Sequence, residues 1–520
     1  MLAKRSSFSL CWFALISLYL GGCSGAGDNA VLAPPVTVPF VGDELAASPR
    51  LTSAVDSAVV RVMADEHLPG VAVVVVRGGK TIMKKGYGLA HVGNGVPVDP
   101  DKTLFRIGSV SKALTALALA RLAERPEVDL QDEVAAYFPG FEDVMNTSDS
   151  SRPVRLWHLM THTGGFDQIG LDRHIWQLDK TLAERKALRP TLQTFLRNKN
   201  LRRVSSPGQY FRYDTYGISL AGAVLESATG KPYAQAMRDI LFEPAGMTRT
   251  FVEVPATLTT DLARGYGYVD GDYVEAPYEV YVTTPASSID ATPADMGRLL
   301  EALTGAGRNT FGRVFEAPTA AAALAPQFQP HPGFPGITHG LFEQPNAEQR
   351  YPVRSVWHGG SMLGYLTSFT VLPELNLGYF IVTNRDSEAG GGDVTLHGQV
   401  GAAILDVLGP AANVVPAEVP ARHPDVDLSE FAGEYVYGVY CHTCTPAELA
   451  RGGWGRGPVN PVTAQSGALK IREALYRPVS QSDVFVREDG KQSVYFGRDA
   501  NGRIATFSYA SSPDVFEKIR

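Results

Sequence analysis

Four residues from three distant stretches of the chain carry side chains suited to one reaction: Ser109, Lys112, Tyr213 and His358. A serine hydroxyl attacks a carbonyl carbon only when a base takes its proton, and residues i and i+3 stand on one face of a helix. In Ser109-Val110-Ser111-Lys112 that spacing lets the Lys112 amine reach the Ser109 oxygen. A helix beginning near Gly108 would add a backbone N–H and a dipole that favours developing negative charge. The run Ala113-Leu114-Thr115-Ala116-Leu117 buries that helix. A desolvated lysine holds its proton less tightly, as a base working near neutral pH requires. By itself Ser-x-x-Lys also arises by chance on surface helices, and Ser111 is a second serine in the same turn. Tyr213 stands among Tyr210, Phe211 and Tyr216, where the plain reading is core or surface packing. His358 precedes Gly359 and Gly360, which let a ligand approach the backbone, although a lone histidine is more often structural.

Elements predicted elsewhere in the chain must hold these residues. Leu51, Val55, Val59 and Val62 recur at helical spacing up to Leu68-Pro69-Gly70. Val71 to Val76, a Gly78-Gly79 turn and Thr81 to Tyr87 read as a β-hairpin. Ser109 to Glu124 reads as a buried helix, and the pattern from Arg155 to about Thr250 is mainly helical with long loops. Strands return late, in Leu366 to Leu372 and Leu377 to Thr383, joined through Pro373-Glu374-Leu375-Asn376. The simplest architecture is an α/β (α+β) domain over 51–408, with an antiparallel sheet made from both ends of that segment and a helical region inserted between them. Prolines mark 409–427 as a linker, and 428–520 carries short strands such as Ser493 to Phe496 and Ile504 to Tyr509, a small all-β domain.

With 520 residues, 44% apolar and 19% charged, the chain is globular and too long for one ordinary core. A formal charge of −7, more negative once Lys4 and Arg5 are gone, argues against nucleic acid as a partner. Residues 1–22 read as a secretory leader: Lys4 and Arg5, an apolar stretch from Leu10 to Leu20 too short to span a bilayer, then small residues. Leu20-Gly21-Gly22-Cys23 looks like a bacterial lipobox, with Cys23 acylated and Ser24 favouring the outer membrane; cleavage as an ordinary secreted protein is the alternative. Residues 23–50 then form a flexible tether, and the body sits at the periplasmic face of the envelope, joined to the membrane through lipid. Cys11 leaves with the leader, and Cys441 and Cys444 read as a local disulfide or two inert thiols rather than a redox or haem motif.

Over about residues 51 to 408 the chain resembles the serine hydrolase family of class C β-lactamases, D-alanyl-D-alanine carboxypeptidases, D-aminopeptidases and lactamase-like esterases. Leu104-Phe105-Arg106-Ile107-Gly108-Ser109-Val110-Ser111-Lys112 is similar to that family's nucleophile segment nearly letter for letter. His158-Leu159-Met160-Thr161-His162-Thr163-Gly164-Gly165 is similar to its helical-region signature. Phe211-Arg212-Tyr213-Asp214-Thr215, followed by Gly222 and Thr229-Gly230, resembles the second catalytic element, and His358-Gly359-Gly360 with Gly364 and Leu372-Pro373-Glu374 resembles the third. The resemblance implies the β-lactamase/transpeptidase-like fold and an acyl-enzyme route without metal or cofactor. Ser109 would be acylated, Lys112 and Tyr213 would share the proton work, and the N–H groups of Ser109 and Ser361 would hold the oxyanion. His358 stands where many relatives have lysine, and Gly359 and Gly360 would line the substrate.

One departure bears on the substrate. The family usually has Tyr-x-Asn where this chain has Tyr213-Asp214-Thr215, so the substrate contact falls to Thr215, which offers a shorter hydroxyl and puts β-lactam and peptide amides in doubt more than other acyl bonds. Ser287-Ser288 replaces two glycines common in relatives, without a functional reading. His158 and His162 have the i, i+4 spacing of a zinc pair but lack the intervening glutamate of metalloproteases. Arg197, Lys199, Arg202 and Arg203 read as a solvated helix face. Gly390-Gly391-Gly392 lacks the Lys-Ser/Thr of a phosphate cradle. The rival from another class is a catalytically silent envelope protein that binds cell-wall peptides; retention of Ser109, Lys112 and Tyr213 together favours an enzyme acting on a small-molecule or peptide acyl substrate.

Overall fold

The computed structural model describes residues 48–138, 152–168, 174–175, 177–198, 201–332, 334–345, 353–386, 395–410, 426–450, 455–479, 483–490, 492–499 and 501–520. The expected leader, lipobox and tether, Lys199, the triple-glycine loop and most of the expected linker lie outside the described residues.

Helix α1 (Pro49–Asp65) starts with a proline in its first turn, where no N–H partner is lost, and buries Leu51, Val55, Val59 and Val62 on one face. The first hairpin follows as β1 (Gly70–Arg77) and β2 (Lys80–His91). Helix α2 (Val110–Leu122) is buried at every residue from Val110 to Ala120, as its Ala- and Leu-rich sequence demands. The helical region includes α3 (Leu156–Met160) and α4 (Thr215–Thr229), and α5 (Pro293–Thr304) returns the chain to the sheet. The late strands are β3 (Phe342–Pro345), β4 (Arg354–Met362), β5 (Tyr365–Leu372) and β6 (Leu377–Thr383), followed by α6 (Leu396–Leu408).

These strands form a seven-stranded sheet in the order β3-β4-β5-β6-β1-β2, ending on the two-residue strand Val96–Pro97. β6 pairs antiparallel with β1, Val71 opposite Thr383 and Arg77 opposite Leu377, so both ends of the segment do build one sheet. β1 is buried on both faces because it serves two cores. Ala72, Val74 and Val76 join α2 and α5 on one side, and Val71, Val73 and Val75 join α1 and α6 on the other. A strand covered on both faces needs a continuous apolar run rather than alternation, which is what Val71 to Val76 supplies.

The chain end closes an eight-stranded barrel from β7 (Gly433–Tyr437) through β8 (Asn460–Gln465), β9 (Ala468–Ile471), β10 (Ala474–Pro478), β11 (Val484–Arg487), β12 (Ser493–Arg498) and β13 (Ile504–Tyr509) to β14 (Phe516–Lys518). Inward residues such as Phe431, Tyr435, Phe485, Phe496 and Phe507 fill it with edge-to-face aromatic contacts. Cys441 and Cys444 are disulfide-bonded.

The basic run at 197–203 corrects the expectation of a solvated helix face. The helix Leu192–Asn198 carries only Arg197 of the run, exposed in its last turn, whereas Arg203 is buried and donates to Arg152 O at 2.9 Å, and Arg202 reaches the barrel domain, donating to Thr443 O at 2.8 Å. A guanidinium fork finds carbonyl partners as readily as water, and a charge run alone cannot distinguish the two.

Candidate active site

Ser109 stands at the start of α2 as its N-cap residue, yet its hydroxyl makes no capping bond. That hydroxyl accepts instead from Lys112 Nζ at 3.1 Å, and the same ammonium donates to Ala286 O at 3.0 Å. Lys112 is 2% exposed, so the only charge on the first turn of α2 is enclosed by protein. Gly108, with φ +53°, supplies the left-handed residue that turns the chain into the helix. Ser111 is fully buried and its Oγ accepts from Ile289 N at 3.1 Å, a bond that ties α2 to the neighbouring strand and faces away from Ser109.

The ring of Tyr213 lies 4.8 Å from Lys112 Nζ, a cation–π distance. Tyr213 enters the site from the residue before Asp214, the N-cap of α4, whose carboxylate accepts from Tyr216 N at 2.8 Å and Gly217 N at 2.9 Å. Burial raises the Asp214 carboxyl to about 6 against these bonds. Thr215 is the buried first residue of α4, and its carbonyl accepts from Ser219 Oγ at 2.8 Å. His162 Nδ1 accepts from Asp214 N at 2.9 Å and its ring packs 4.9 Å from that of Tyr213. His158 Nδ1 likewise accepts from Arg155 N at 2.8 Å. The two imidazoles expected to be structural thus fasten backbone, and among the described residues no three His, Cys, Asp or Glu side chains converge as a metal would need.

His358, on β4, reaches the same place: its ring is 6.1 Å from that of Tyr213 and 4.7 Å from that of Phe342. Nδ1 lies 2.6 Å from Gly359 O. A carbonyl only accepts, so Nδ1 carries the proton and Nε2 presents a lone pair, buried and without a partner among the described residues. Burial, then the Lys112 charge, push this imidazole down to about 3, so it is neutral at neutral pH, unlike the lysine expected at this place in relatives.

The strand beyond His358 passes against the nucleophile segment. A side chain at Gly360 would strike Ile107 O, its Cβ only 2.1 Å away, and a Cβ at Gly108 would lie 3.1 Å from Ser361 N. Ser361 pairs with Leu366, one step from the closing Met362–Tyr365 pair of a two-residue turn. In such a ladder its N–H points away from β5, towards the edge that β3 leaves uncovered beyond Trp357. Two surface cavities, of about 360 and 420 Å³, lie elsewhere, between α1 and α6 and beside Trp157, so it is the convergence of reactive groups that marks this site.

The beta-lactamase family profile matches residues 55–402. This chain belongs to the beta-lactamase family. Within it, esterase EstB of Burkholderia gladioli is 32% identical over 227 residues, 40% of this chain and 52% of the esterase, so the chain spans about half the length of that curated relative. The octameric penicillin-binding protein homologue from Pyrococcus abyssi shares the fold with a TM-score of 0.56 at 20% identity, covering 90% of this chain and 100% of its own. D-alanine carboxypeptidase AmpC from Burkholderia cenocepacia does so with a TM-score of 0.53 at 23% identity, over 69% of this chain and 99% of its own. The mixed α/β architecture of this beta-lactamase-family chain is thus a β-lactamase/transpeptidase-like fold with an appended barrel.

Residues not singled out from sequence also shape the site. Ala286 O holds Lys112, Phe342 covers His358, and Val439 and Tyr437 from the barrel domain pack with Phe211 and Tyr213. Only Asp214 had a local signal, an Asp just before an apolar helical run.

Proposed function

We propose that this beta-lactamase-family protein is a serine acyl hydrolase working through an acyl-enzyme at Ser109. The observation that carries the reading is the 3.1 Å Lys112–Ser109 hydrogen bond at the start of a buried helix, with a serine hydroxyl not occupied in capping. In the proposed route the Ser109 Oγ–carbonyl bond forms as the acyl–oxygen bond of the substrate ester breaks, the hydroxyl proton passes through Lys112 and Tyr213 to the leaving oxygen, which departs as the alcohol, and water then cleaves the acyl-serine ester to release the acid and restore the Ser109 hydroxyl. The N–H groups of Ser109 and Ser361 hold the oxyanion. His358 serves as a neutral hydrogen-bond acceptor, and Thr215, Gly359 and Gly360 border the substrate.

Esters with uncharged, apolar groups fit best. Phe211, Ile337, Phe342, Tyr437 and Val439 surround Tyr213 with apolar surface, Thr215 lacks the amide arm of asparagine, and the relative with 32% identity is named an esterase. We place the protein at the cell envelope, lipidated at Cys23. The test is a panel of short-chain p-nitrophenyl esters, nitrocefin and D-alanyl peptides, run beside labelling with a fluorescent phosphonate. Ester turnover well above the other two, with label lost in Ser109→Ala, is the expected result. Binding of cell-wall peptide without label or turnover would refute the enzyme reading in favour of a silent binding protein.

A further inference from the structure

Among the contacts of the barrel domain with the hydrolase domain is one made by the loop closed by the Cys441–Cys444 disulfide. Inside that loop the N–H groups of His442 and Thr443 donate to Asp167 Oδ1 and Oδ2 at 2.8 and 3.0 Å, and Thr443 Oγ1 donates to Oδ2 at 2.5 Å. The Asp167 side chain has no exposed surface. Its neighbour Gln168 donates from Nε2 to Asp214 Oδ1 at 3.2 Å. On the other side, His442 Nε2 lies 2.7 Å from Glu517 Oε2, and Glu517 Oε1 accepts from Arg212 Nε at 3.0 Å and from Arg212 Nη2. Arg212 and Asp214 flank Tyr213 in the chain. Both neighbours of the tyrosine are therefore fastened to the barrel domain, one through Glu517 and one through Asp167 and Gln168.

We propose that Asp167 and His442 are positioning residues for Tyr213, and that the disulfide loop of the barrel domain is the clasp through which they act. The inference rests on the serine hydrolase reading above. Two parallel backbone N–H groups aimed at one buried carboxylate require an ordered loop, and a short cross-link removes much of the freedom a linear loop would have to lose. Misplacing a reacting group by about 1 Å can lower a rate by up to about a hundredfold, so a small shift of Tyr213 is a sufficient cause. His442 faces Asp167, Glu517 and Arg212, with Tyr440 stacked on its ring at 3.9 Å and Arg456 beyond that tyrosine. Despite burial, its bonds to Asp167 and Glu517 raise its pKa, so the clasp is tightest with His442 protonated and loosens as pH rises through that ionisation.

The test uses the full chain with a p-nitrophenyl ester, recording kcat and KM separately, together with thermal unfolding of each variant. Asp167→Ala, and the parent reduced with dithiothreitol, should lose about tenfold or more in kcat with KM held within about twofold, and reoxidation should restore the parent. Asp167→Asn, which keeps one carbonyl acceptor, should fall between. The ratio of parent to His442→Gln kcat should shrink from about pH 6 to about pH 9, a trend a purely structural role would not produce. Should Asp167→Ala not fold, Glu517→Gln and the reduced parent carry the same measurement. Unchanged kcat in folded variants, or a loss confined to KM, would overturn the inference while leaving the hydrolase reading intact. No Ser109-dependent label on the parent would refute that reading and this inference with it.

Discussion

Replacing Asp214 with asparagine isolates one cost that the fold carries to hold Tyr213. The carboxylate caps α4 through two backbone N–H groups, but burial raises its pKa from an ordinary 3.8 to about 6. At about 1.4 kcal/mol per pH unit, this shift penalises the ionised form by about 3 kcal/mol. Because the folded value lies above the unfolded one, the group's contribution to stability is complete below pH 3.8 and is lost as pH rises to about 6 and beyond. Asparagine keeps a capping carbonyl and does not ionise, so any capping loss of about 1 kcal/mol is independent of pH. Urea unfolding of parent and Asp214→Asn from pH 4 to pH 8 should therefore show the variant gaining on the parent by up to about 3 kcal/mol between pH 4 and 6, then levelling off. A difference that stays flat, or a parent that gains on the variant as pH rises, would refute the reasoning. It would mean that the two N–H groups and Lys112 stabilise the anion more than burial disfavours it.

Further predictions bear on the same site and on the anchor. Lys112→Ala should slow phosphonate labelling of Ser109 by about 10²- to 10⁴-fold, whereas Ser111→Ala should keep the label and lose about 1–3 kcal/mol of stability through the stranded Ile289 N–H. Thr215→Asn should raise kcat/KM on nitrocefin and D-alanyl peptides relative to aryl esters, and an unchanged ratio would remove Thr215 as the determinant. His358 is held neutral down to about 3, so its contribution to stability is present above the ordinary imidazole range and is lost as pH falls towards 3; acid unfolding should begin at lower pH in a folded His358→Gln protein. Cys23→Ala should release the protein from membranes on fractionation, and equal membrane recovery would sink the proposed lipid anchor.

What could be read from sequence was governed by local rules. The apolar run after Ser109 predicts a buried helix, and Val71 to Val76 and Leu377 to Thr383 predict the strands that meet in the centre of the sheet. Ser109 and Lys112 share one helical turn, so their approach was legible, while the arrival of Tyr213 and His358 followed only from resemblance to a family. The roles of Phe342, Tyr437, Val439, Arg202 and Asp167 were not legible, because each depends on a surface supplied by a distant stretch of chain. A barrel was among the readings of the short alternating strands, but which strands close it was hidden for a similar reason: the pairing of β7 with β14 joins Tyr437 to Phe516 and leaves no periodic trace in either strand.

The placing of β6 beside β1 has a consequence for how the protein is made. Val71 has no partner on that edge until Thr383 has left the ribosome, and Ser361 belongs to the hairpin that arrives just before it. The nucleophile helix belongs to the early part of the chain and can collapse with the helical region, whereas the strand that completes the site comes late. Long loops must close before such non-local pairing is rewarded, which makes this the slow step of folding. Activity should therefore appear only when the sheet closes, so a nascent or partly folded chain is chemically silent, and turnover is itself a reporter of completed folding.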